Sequence, residues 1–379
     1  MFELTKEQEL LVKMTRDYAT NELEPRAEDC DKLGFIPEET YKEMGQIGLL
    51  GLNVPKEYGG AGMDDICKVL SIIEVGKKCG STAEMFAVQT LVNFIINKNG
   101  NEEQKQHYLP MYKEGKIGAF GLTEPDAGSD AGSLQTTADQ DGTDYILNGA
   151  KVFISNMGPN EGEYAIVFAL TDKAKGSHGG VTAFLIDRGT PGFELGKLED
   201  KMGIRGAAVS ELVFQDCRVP KEAVLGKVGK GMHVAFSGLD SGRVGIASQS
   251  IGYATGALDL ALEYSKQRQQ FGRPISANQG LQWYLAEMAV ETDAARLMAL
   301  RAASMMSKGI NATKEASMAK FYASEIANKV VAKALQIHGG YGYIKDYAIE
   351  RIYRDARIVT IYEGSSEVQK IVISRALLG

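Results

Sequence analysis

A single carboxylate stands in the stretch TIYEGSSEVQK, residues 360–370, close to the end of the chain. Glu363 lies between a tyrosine and a glycine, where Gly364 leaves room beside it. A helix is predicted directly afterwards, since Ser366 and Gln369 have the S-x-x-Q spacing of a capping box. A carboxylate in this position can act as a proton acceptor in catalysis, or it can be a solvated charge before a helix. The segment alone leaves both interpretations open.

Two other stretches could bind a ligand. GLTEPDAGSD (residues 121–130) combines hydroxyl groups, carboxylates and free backbone amides, which can hydrogen-bond the edge of a planar heterocycle. Its alternative interpretation is a polar turn between domains. YSKQRQQFGRPI (residues 264–275) could present the cation of Arg268 and the ring of Phe271 to a phosphate-bearing ligand. Its alternative is a helix end stopped by the glycine and proline that follow.

Several other kinds of site are excluded by motif and composition. HGGYGY (residues 338–343) follows a predicted helix and not a strand, so it is no dinucleotide fingerprint, and the P-loop, G-x-S-x-G and H-E-x-x-H patterns do not occur. The net charge of −7 argues against a nucleic-acid partner or an acidic membrane surface. The 4 cysteines are scattered without a C-x-x-C pair, so we expect no metal site, no disulfide scaffold and a cytoplasmic location. No signal peptide, transit peptide or membrane span is expected.

The elements that must position these residues change character along the chain. The pattern is helical from Thr5 to about residue 116, where Thr5 and Gln8 form a predicted capping box. Short segments rich in valine, isoleucine and phenylalanine then predict strands up to about residue 227. Long helices are predicted over residues 244–268, 278–308 and 312–338, with a shorter helix at the end. We therefore expect an α+β fold in three parts: an N-terminal helical domain (1–116), a middle β-barrel or sheet domain (117–227) and a C-terminal helical bundle (228–379).

In this order, the motifs resemble those of the acyl-CoA dehydrogenases, which are FAD enzymes that desaturate acyl-CoA thioesters. The resemblance covers essentially the whole chain, and it is closest to the short-chain, butyryl-type branch. It implies the family fold, in which the C-terminal part is a four-helix bundle. The segments that carry it are NEEQKQHYLP, GLTEPDAGSD, NGAKVFISN, GRVGIASQSIG, RQQFGRPI, QIHGGYGY and IYEGSSEVQ.

The resemblance implies that Glu363 is the catalytic base. It removes the α-proton of the thioester while the β-hydrogen leaves as hydride to flavin N5, and its backbone N–H helps to polarise the thioester carbonyl. Burial beside the acyl chain and the flavin is expected to raise the pKa of Glu363 toward neutrality. Some branches carry the base just before the arginine of a motif that reads LDSGR in this chain. That position is Gly242 here, so Glu363 is the only candidate.

The family's cofactor and substrate contacts map onto this sequence. Ser155 stands at the position of a threonine near flavin N5, and Phe153 replaces a frequent tryptophan over the ring. One set of the cofactor-contact residues is expected to reach the FAD of a neighbouring subunit. This implies a homotetramer built as a dimer of dimers. The predicted FAD contacts are Phe120, Leu122, Thr123, Phe153, Ser155, Ser365 and Glu367 and, from the neighbouring subunit, Arg268, Phe271, Gln279, Gln336 and Gly340. The predicted substrate and CoA contacts are Ser129, Asp240, Arg243, Tyr362 and Gly364.

The resemblance also implies electron-transferring flavoprotein as the redox partner. The same residues can catalyse the reverse reaction, in which an enoyl-CoA reductase acts on crotonyl-CoA or on aryl-propenoyl thioesters, including caffeoyl-type ones. The sequence does not set the direction. The acyl preference is open too, because Gln89 and Asn93 either repack the helix beneath the acyl tail or reshape its pocket for a polar or aromatic group. An acyl-CoA oxidase and a catalytically inactive scaffold are the more distant alternatives.

Overall fold

The computed structural model describes residues 4–379, and its N-terminal part is helical, as the periodicity predicts. The Thr5–Gln8 capping box forms in both directions, since each residue's side chain accepts from the other's backbone N–H. The longest helix of this part, α5, is buried along most of its length and lies against the C-terminal helices. The helices are α1 (Lys6–Tyr18), continued by a π-helical turn (Ala19–Leu23), α2 (Glu24–Leu33), α3 (Glu38–Gln46), α4 (Asp65–Gly76), α5 (Gly80–Asn99) and α6 (Glu102–Tyr108).

The middle part is one eight-stranded sheet. Its strands run in the order β6-β7-β3-β2-β4-β5-β8, and β1 pairs in parallel with β4. Alternating apolar residues of β3 and β7 pack onto a core of their own, as expected for a half-buried antiparallel pair. The strands are β1 (Gly118–Gly121), β2 (Thr137–Asp141), β3 (Asp144–Ser155), β4 (Tyr164–Leu170), β5 (Val181–Asp187), β6 (Phe193–Leu198), β7 (Val209–Val219) and β8 (Val224–Leu225).

The C-terminal part is helical again. Helix α9 packs against α7, α8 and α11, while α7 also packs against α4 and α5 of the N-terminal part. Two very short strands form a hairpin between α7 and α8, which the sequence did not predict. The elements are α7 (Gly231–Gln267), β9 (Gln269–Gln270), β10 (Arg273–Pro274), α8 (Gln279–Ser307), α9 (Thr313–His338), α10 (Ala348–Ala356) and α11 (Ser366–Leu378).

The expected order of helical, sheet and helical parts is confirmed. The first long helix was predicted to start at residue 244, which was wrong. Helix α7 begins at Gly231, so the prediction omitted about one third of the helix. Its first turns contain Gly238 and Gly242, which weaken a helical pattern in sequence but pack directly against α5 in the structure. Tertiary packing therefore decides this boundary.

Candidate active site

The segment before α11 holds Glu363 in a backbone conformation that few non-glycine residues adopt. Glu363 has φ +52° and Gly364 has φ +88°, so two successive residues occupy the left-handed region. The Gln369 amide donates to the carbonyl oxygens of Glu363 (3.2 Å) and Gly364 (2.9 Å). On the other side, the Tyr362 hydroxyl donates to Gln249 of α7. Strain maintained by hydrogen bonds on both sides is typical of a functional position.

The predicted Ser366–Gln369 capping box was wrong. Ser365 is the N-cap of α11, and its hydroxyl accepts from the Val368 N–H at 3.4 Å. Ser366 instead donates to Glu325 Oε1 at 2.5 Å. The glutamine of the apparent motif is therefore free to hold the two carbonyl groups of the Glu363 segment.

One of three glycines on the α5-facing side of α7 makes room for the carboxylate. Gly238, Gly242 and Gly245 follow one another at helical spacing and face α5, where Leu91 lies near the first two. Glu363 Oε2 lies so close to Gly242 that a side chain at that position would meet it. The carboxylate of Glu363 therefore sits at the α5–α7 contact and points away from bulk solvent.

The charges around Glu363 act in opposite directions. Burial raises the pKa of Glu363, while the nearby cations of Lys320 and Arg243 lower it. Lys320 is fully buried on α9 and donates to the Gly364 carbonyl oxygen at 2.7 Å. Burial also lowers the pKa of Lys320, to about 8. A carboxylate whose pKa is raised is a stronger base than a free carboxylate, as a general base requires.

An exposed aromatic ring lies at a bulge of the sheet. The pairing of β3 with β7 slips between Lys151 and Ile154, and Phe153 sits at this bulge with φ +60°. Its ring is 65% exposed, an unusual state for a large aromatic side chain on a strand. The backbone joins this strand to the predicted loop, because the Val152 N–H donates to the Thr123 carbonyl at 2.9 Å. Phe120 lies on β1 and Leu122 directly follows it, so the predicted flavin-ring residues of the sheet domain come from β1, the loop after it and β3.

A buried ion pair holds the 121–130 loop in place. Lys151 and Glu124 meet at 2.6 Å with almost no exposure, and Glu124 also accepts from the Gln135 and Thr136 N–H groups. Of the loop's three carboxylates, this one is structural, since its oxygens are used inside the protein. Ser129 lies on the exposed part of the loop.

The residues predicted to reach a neighbouring subunit lie near the ends of α7, α8 and α9 and in the segments that follow α7 and α9. Arg268 and Gly340 line an open pocket of about 430 Å³, where the Arg268 guanidinium stands 5.3 Å from the Tyr341 ring centre. Phe271 is fully exposed with φ +54°. Gln279 and Gln336 are exposed as well. At the other end of the site, Glu367 is exposed in the first turn of α11, next to the Ser365 cap.

The predicted CoA contacts on α7 are joined to each other. Asp240 accepts from Arg243 Nη1 at 3.0 Å and from the Thr313 hydroxyl at 2.7 Å. Arg243 is buried, and its Nε has no hydrogen-bond partner within residues 4–379. A buried arginine with an unused donor is available to an anionic or carbonyl group.

The two amides beneath the expected acyl tail are used internally. Gln89 accepts from the Gly118 N–H at 2.8 Å and donates to Asn93, whose amide donates to the Leu50 carbonyl oxygen. Both side chains are buried. These contacts favour repacking of α5 over a polar acyl pocket built from Gln89 and Asn93.

Comparison with known proteins identifies the family. The N-terminal, middle and C-terminal domain models of acyl-CoA dehydrogenase match residues 5–116, 119–217 and 229–378. The chain belongs to the acyl-CoA dehydrogenase family. It is therefore an oxidoreductase, and the family's cofactor is FAD.

Similar proteins act in both directions of the family's chemistry. The chain is 49% identical to an acryloyl-CoA reductase (NADH) of Anaerotignum propionicum, over 100% of this chain and 96% of the relative. It is 47% identical to a short-chain specific acyl-CoA dehydrogenase of Clostridium acetobutylicum, over 98% of each. A chain from a structure described as the electron transferring flavoprotein of Acidaminococcus fermentans superposes with TM-score 0.96 at 45% identity, covering 100% of this chain and 99% of that one.

Metal sites and membrane-spanning helices were sought in residues 4–379. In that range, no group of histidine, cysteine, aspartate and glutamate side chains could hold a metal ion. None of the helices in the same range has the length and apolar character needed to cross a membrane.

Three site residues were missed from the sequence. Lys320 lies in an ordinary helical pattern, and only the fold brings it to the Glu363 segment, while Gln369 was assigned to a capping box and not to the Glu363 and Gly364 carbonyl oxygens. Glu84 accepts a hydrogen bond from Ser155 at 2.6 Å. One signal was available for Glu84, because a single carboxylate interrupts the otherwise uncharged stretch from Gly80 to Phe94.

Proposed function

We propose that this protein interconverts a short acyl-CoA and its α,β-enoyl-CoA, with Glu363 as the base that removes the α-proton. The observation that carries the proposal is the half-buried Glu363 carboxylate, held at positive φ against α7 with a raised pKa. The Glu363 N–H has no protein acceptor within residues 4–379, so it is free to polarise the thioester carbonyl. Tyr362 and Gly364 are fixed on either side and shape the space around the thioester.

The residues present fit FAD. An exposed Phe153 on a strained bulge, with Ser155 two residues further along, supports an aromatic ring system lying on the end of the sheet. We assign the ring contacts to Phe120, Leu122, Thr123, Phe153 and Ser155, and the phosphate and ribose end to Ser365 and Glu367. Bound FAD supplies the acceptor for the hydrogen that leaves Cβ. Ser129, Asp240 and Arg243 are assigned to the CoA part of the substrate.

The protein's own groups then accept or return the α-proton. In desaturation, ionised Glu363 takes the α-proton, and Lys320 and Arg243 favour the ionised form that this step needs. The apolar α5–α7 contact excludes water from the carboxylate. In the reverse direction, protonated Glu363 returns the proton to Cα.

The reductive direction is the second candidate function. It is favoured by the similarity to the acryloyl-CoA reductase, which is slightly more identical than the dehydrogenase reported above. Electron-transferring flavoprotein is the proposed redox partner in both directions, supported by the similarity to a chain from such a structure. An oxidase function would instead produce peroxide rapidly in air.

A homotetramer is proposed from an unpartnered stripe on α8. Trp283, Val290 and Leu297 recur every seven residues and are 60%, 70% and 45% exposed. Apolar residues at this spacing are typical of helices that pack on another helix. Together with the exposed set of Arg268, Phe271, Gln279, Gln336 and Gly340, they support FAD contacts from a neighbouring subunit. The domain bounds 1–116, 117–227 and 228–379 and a cytoplasmic location stay predictions.

Glu363→Gln tests the function directly. We expect the purified variant to keep the yellow flavin spectrum and to bind butyryl-CoA and crotonyl-CoA. It should lose at least about a thousandfold in turnover, because the amide cannot accept the α-proton. The measurement is flavin bleaching by butyryl-CoA without oxygen, with wild type alongside. Turnover near the wild-type rate would refute Glu363 as the base, and a colourless wild-type protein would refute the FAD enzyme.

A further inference from the structure

Glu84 is a buried carboxyl group that the proposed mechanism does not use. It lies on α5 with 1% exposure, and its Oε1 accepts the hydrogen bond from Ser155 Oγ at 2.6 Å. Its second oxygen, Oε2, is buried without a hydrogen-bond partner within residues 4–379. Most buried polar atoms are hydrogen-bonded, and an unpaired carboxylate oxygen is costly. The group therefore calls for a functional explanation.

The contact between Glu84 and Ser155 is held by the surrounding backbone. Asn156 follows Ser155 with φ +62°, and its amide donates to the carbonyl oxygens of Met85 (3.1 Å) and Gly118 (3.3 Å). Met85 is the neighbour of Glu84 on α5. The end of β3 is therefore tied to the helix at the point where the two side chains meet.

This arrangement gives the Ser155 hydroxyl two possible orientations. A serine hydroxyl has one hydrogen to donate and two lone pairs that accept. When its hydrogen points to ionised Glu84, only lone pairs remain for a ligand on the other side. When Glu84 is protonated, it can donate to Ser155, which frees the serine hydrogen.

The proposed function places N5 of FAD beside Ser155, and the inference rests on that placement. N5 accepts a hydrogen bond in the oxidised ring and donates one in the reduced ring. We propose that Glu84 is a positioning residue that sets the orientation of the Ser155 hydroxyl and thereby couples its own protonation to the redox state of bound FAD. Ionised Glu84 matches the reduced ring, and protonated Glu84 matches the oxidised ring. Reduction then releases the Glu84 proton to solvent, and reoxidation takes one back.

The surroundings of Glu84 allow it to titrate in the useful range. The pKa of Glu84 is raised to about 7: burial is the main cause and the Glu363 charge adds to it, while the Ser155 hydrogen bond and the Lys201 cation oppose the rise. Tyr253 of α7 and Tyr362 also lie near Glu84, and burial raises the pKa of both well above their ordinary range, so they stay neutral. The charges that face Glu84 are therefore those of Glu363 and Lys201.

A simple charge effect predicts the opposite sign. Negative charge added to the flavin on reduction would raise the pKa of Glu84 by Coulomb repulsion, so that reduction would take up a proton. The hydroxyl mechanism predicts that reduction releases one. The sign of the proton exchange separates the two explanations.

The test is the midpoint potential of bound FAD as a function of pH in the holoenzyme. Over about one pH unit on either side of 7, the midpoint potential of the wild type should fall less steeply with pH than that of Glu84→Gln. The difference in slope should be about 30 mV per pH unit, which corresponds to one proton per two electrons. Ser155→Ala should follow Glu84→Gln, whereas Ser155→Thr keeps the hydroxyl and should follow wild type. The matched control is Glu161→Gln. The pKa of Glu161 is raised to about 7 as well, mainly by burial, but Glu161 accepts from the Ala208 N–H, whereas Ser155 donates to Glu84.

Each outcome has a definite meaning. The inference is overturned if the plots of midpoint potential against pH are parallel for wild type and Glu84→Gln, or if the wild-type plot is steeper. If butyryl-CoA bleaches the flavin while the lines stay parallel, only the role of Glu84 fails. If the purified protein binds no flavin, the proposed function fails together with the inference.

Discussion

Gly242 of α7 lies directly against the carboxylate of Glu363, so that a methyl group at position 242 would stand 2.6 Å from Oε2. The two residues are 121 positions apart in sequence, since 363 − 242 = 121. The family resemblance implies that some branches carry the base at the position of Gly242, and this proximity gives a physical reason for it. Side chains from either position reach the same point in the α5–α7 contact.

Gly242→Ala is expected to displace Glu363, the proposed base. The new methyl group must push the Glu363 carboxylate away by about 1 Å, and a displacement of that size can lower turnover about a hundredfold. The flavin spectrum should be unchanged. The measurement is turnover of butyryl-CoA with an artificial electron acceptor.

Gly245→Ala on the same face of α7 is the control for this substitution. A methyl group there meets only the Ala87 side chain, at an ordinary 3.6 Å. Equal turnover of the two variants would mean that Gly242 has no special relation to the base.

Lys320→Met is expected to shift the pH profile of desaturation upward. Lys320 lowers the pKa of Glu363, so its removal raises that pKa further. Desaturation needs ionised Glu363, which means that the rising limb of the pH profile moves to higher pH. Turnover is measured as a function of pH at saturating substrate, with Lys329→Met as control, because Lys329 lies on the same helix but pairs with Glu291. An unshifted limb in Lys320→Met would contradict the electrostatic role.

Gly364→Ala is expected to reduce both stability and turnover. At φ +88°, alanine costs about 1 kcal/mol of folding free energy relative to glycine. Its methyl group would also lie 2.6 Å from the Gln369 amide that holds the Glu363 carbonyl oxygen. Denaturant unfolding and turnover are measured together. Gly34→Ala (φ +77°, open surroundings) is the control, and it should lose stability while its turnover stays at the wild-type value.

Asp31→Asn is expected to weaken the contact between the N-terminal and C-terminal helices. Asp31 of α2 accepts two hydrogen bonds of 2.7 Å from Arg354 of α10, and the two side chains are only 12% and 18% exposed. Removing one partner of a fully buried ion pair costs about 3–5 kcal/mol. We expect about 2 kcal/mol here, because Arg354 keeps its contact with Glu350. Asp17→Asn breaks an exposed pair with Lys13 and should leave the denaturation midpoint unchanged; the idea fails if both variants behave alike.

The sequence by itself determined the order of helical, sheet and helical parts, because hydrophobic periodicity is a local property of the chain. It also determined the family, since the motifs from GLTEPDAGSD to IYEGSSEVQ stand in order along it, and it pointed to Glu363 as the base. Only the tertiary structure decided which groups surround that base. Gly242 and Lys320 are distant from Glu363 in sequence and reach it because α7 and α9 pack together, while the contact of Gln369 with the Glu363 carbonyl oxygen depends on the backbone conformation before α11. The Glu84–Ser155 contact likewise joins a helix to a strand 71 residues away, and no local pattern encodes such a pairing.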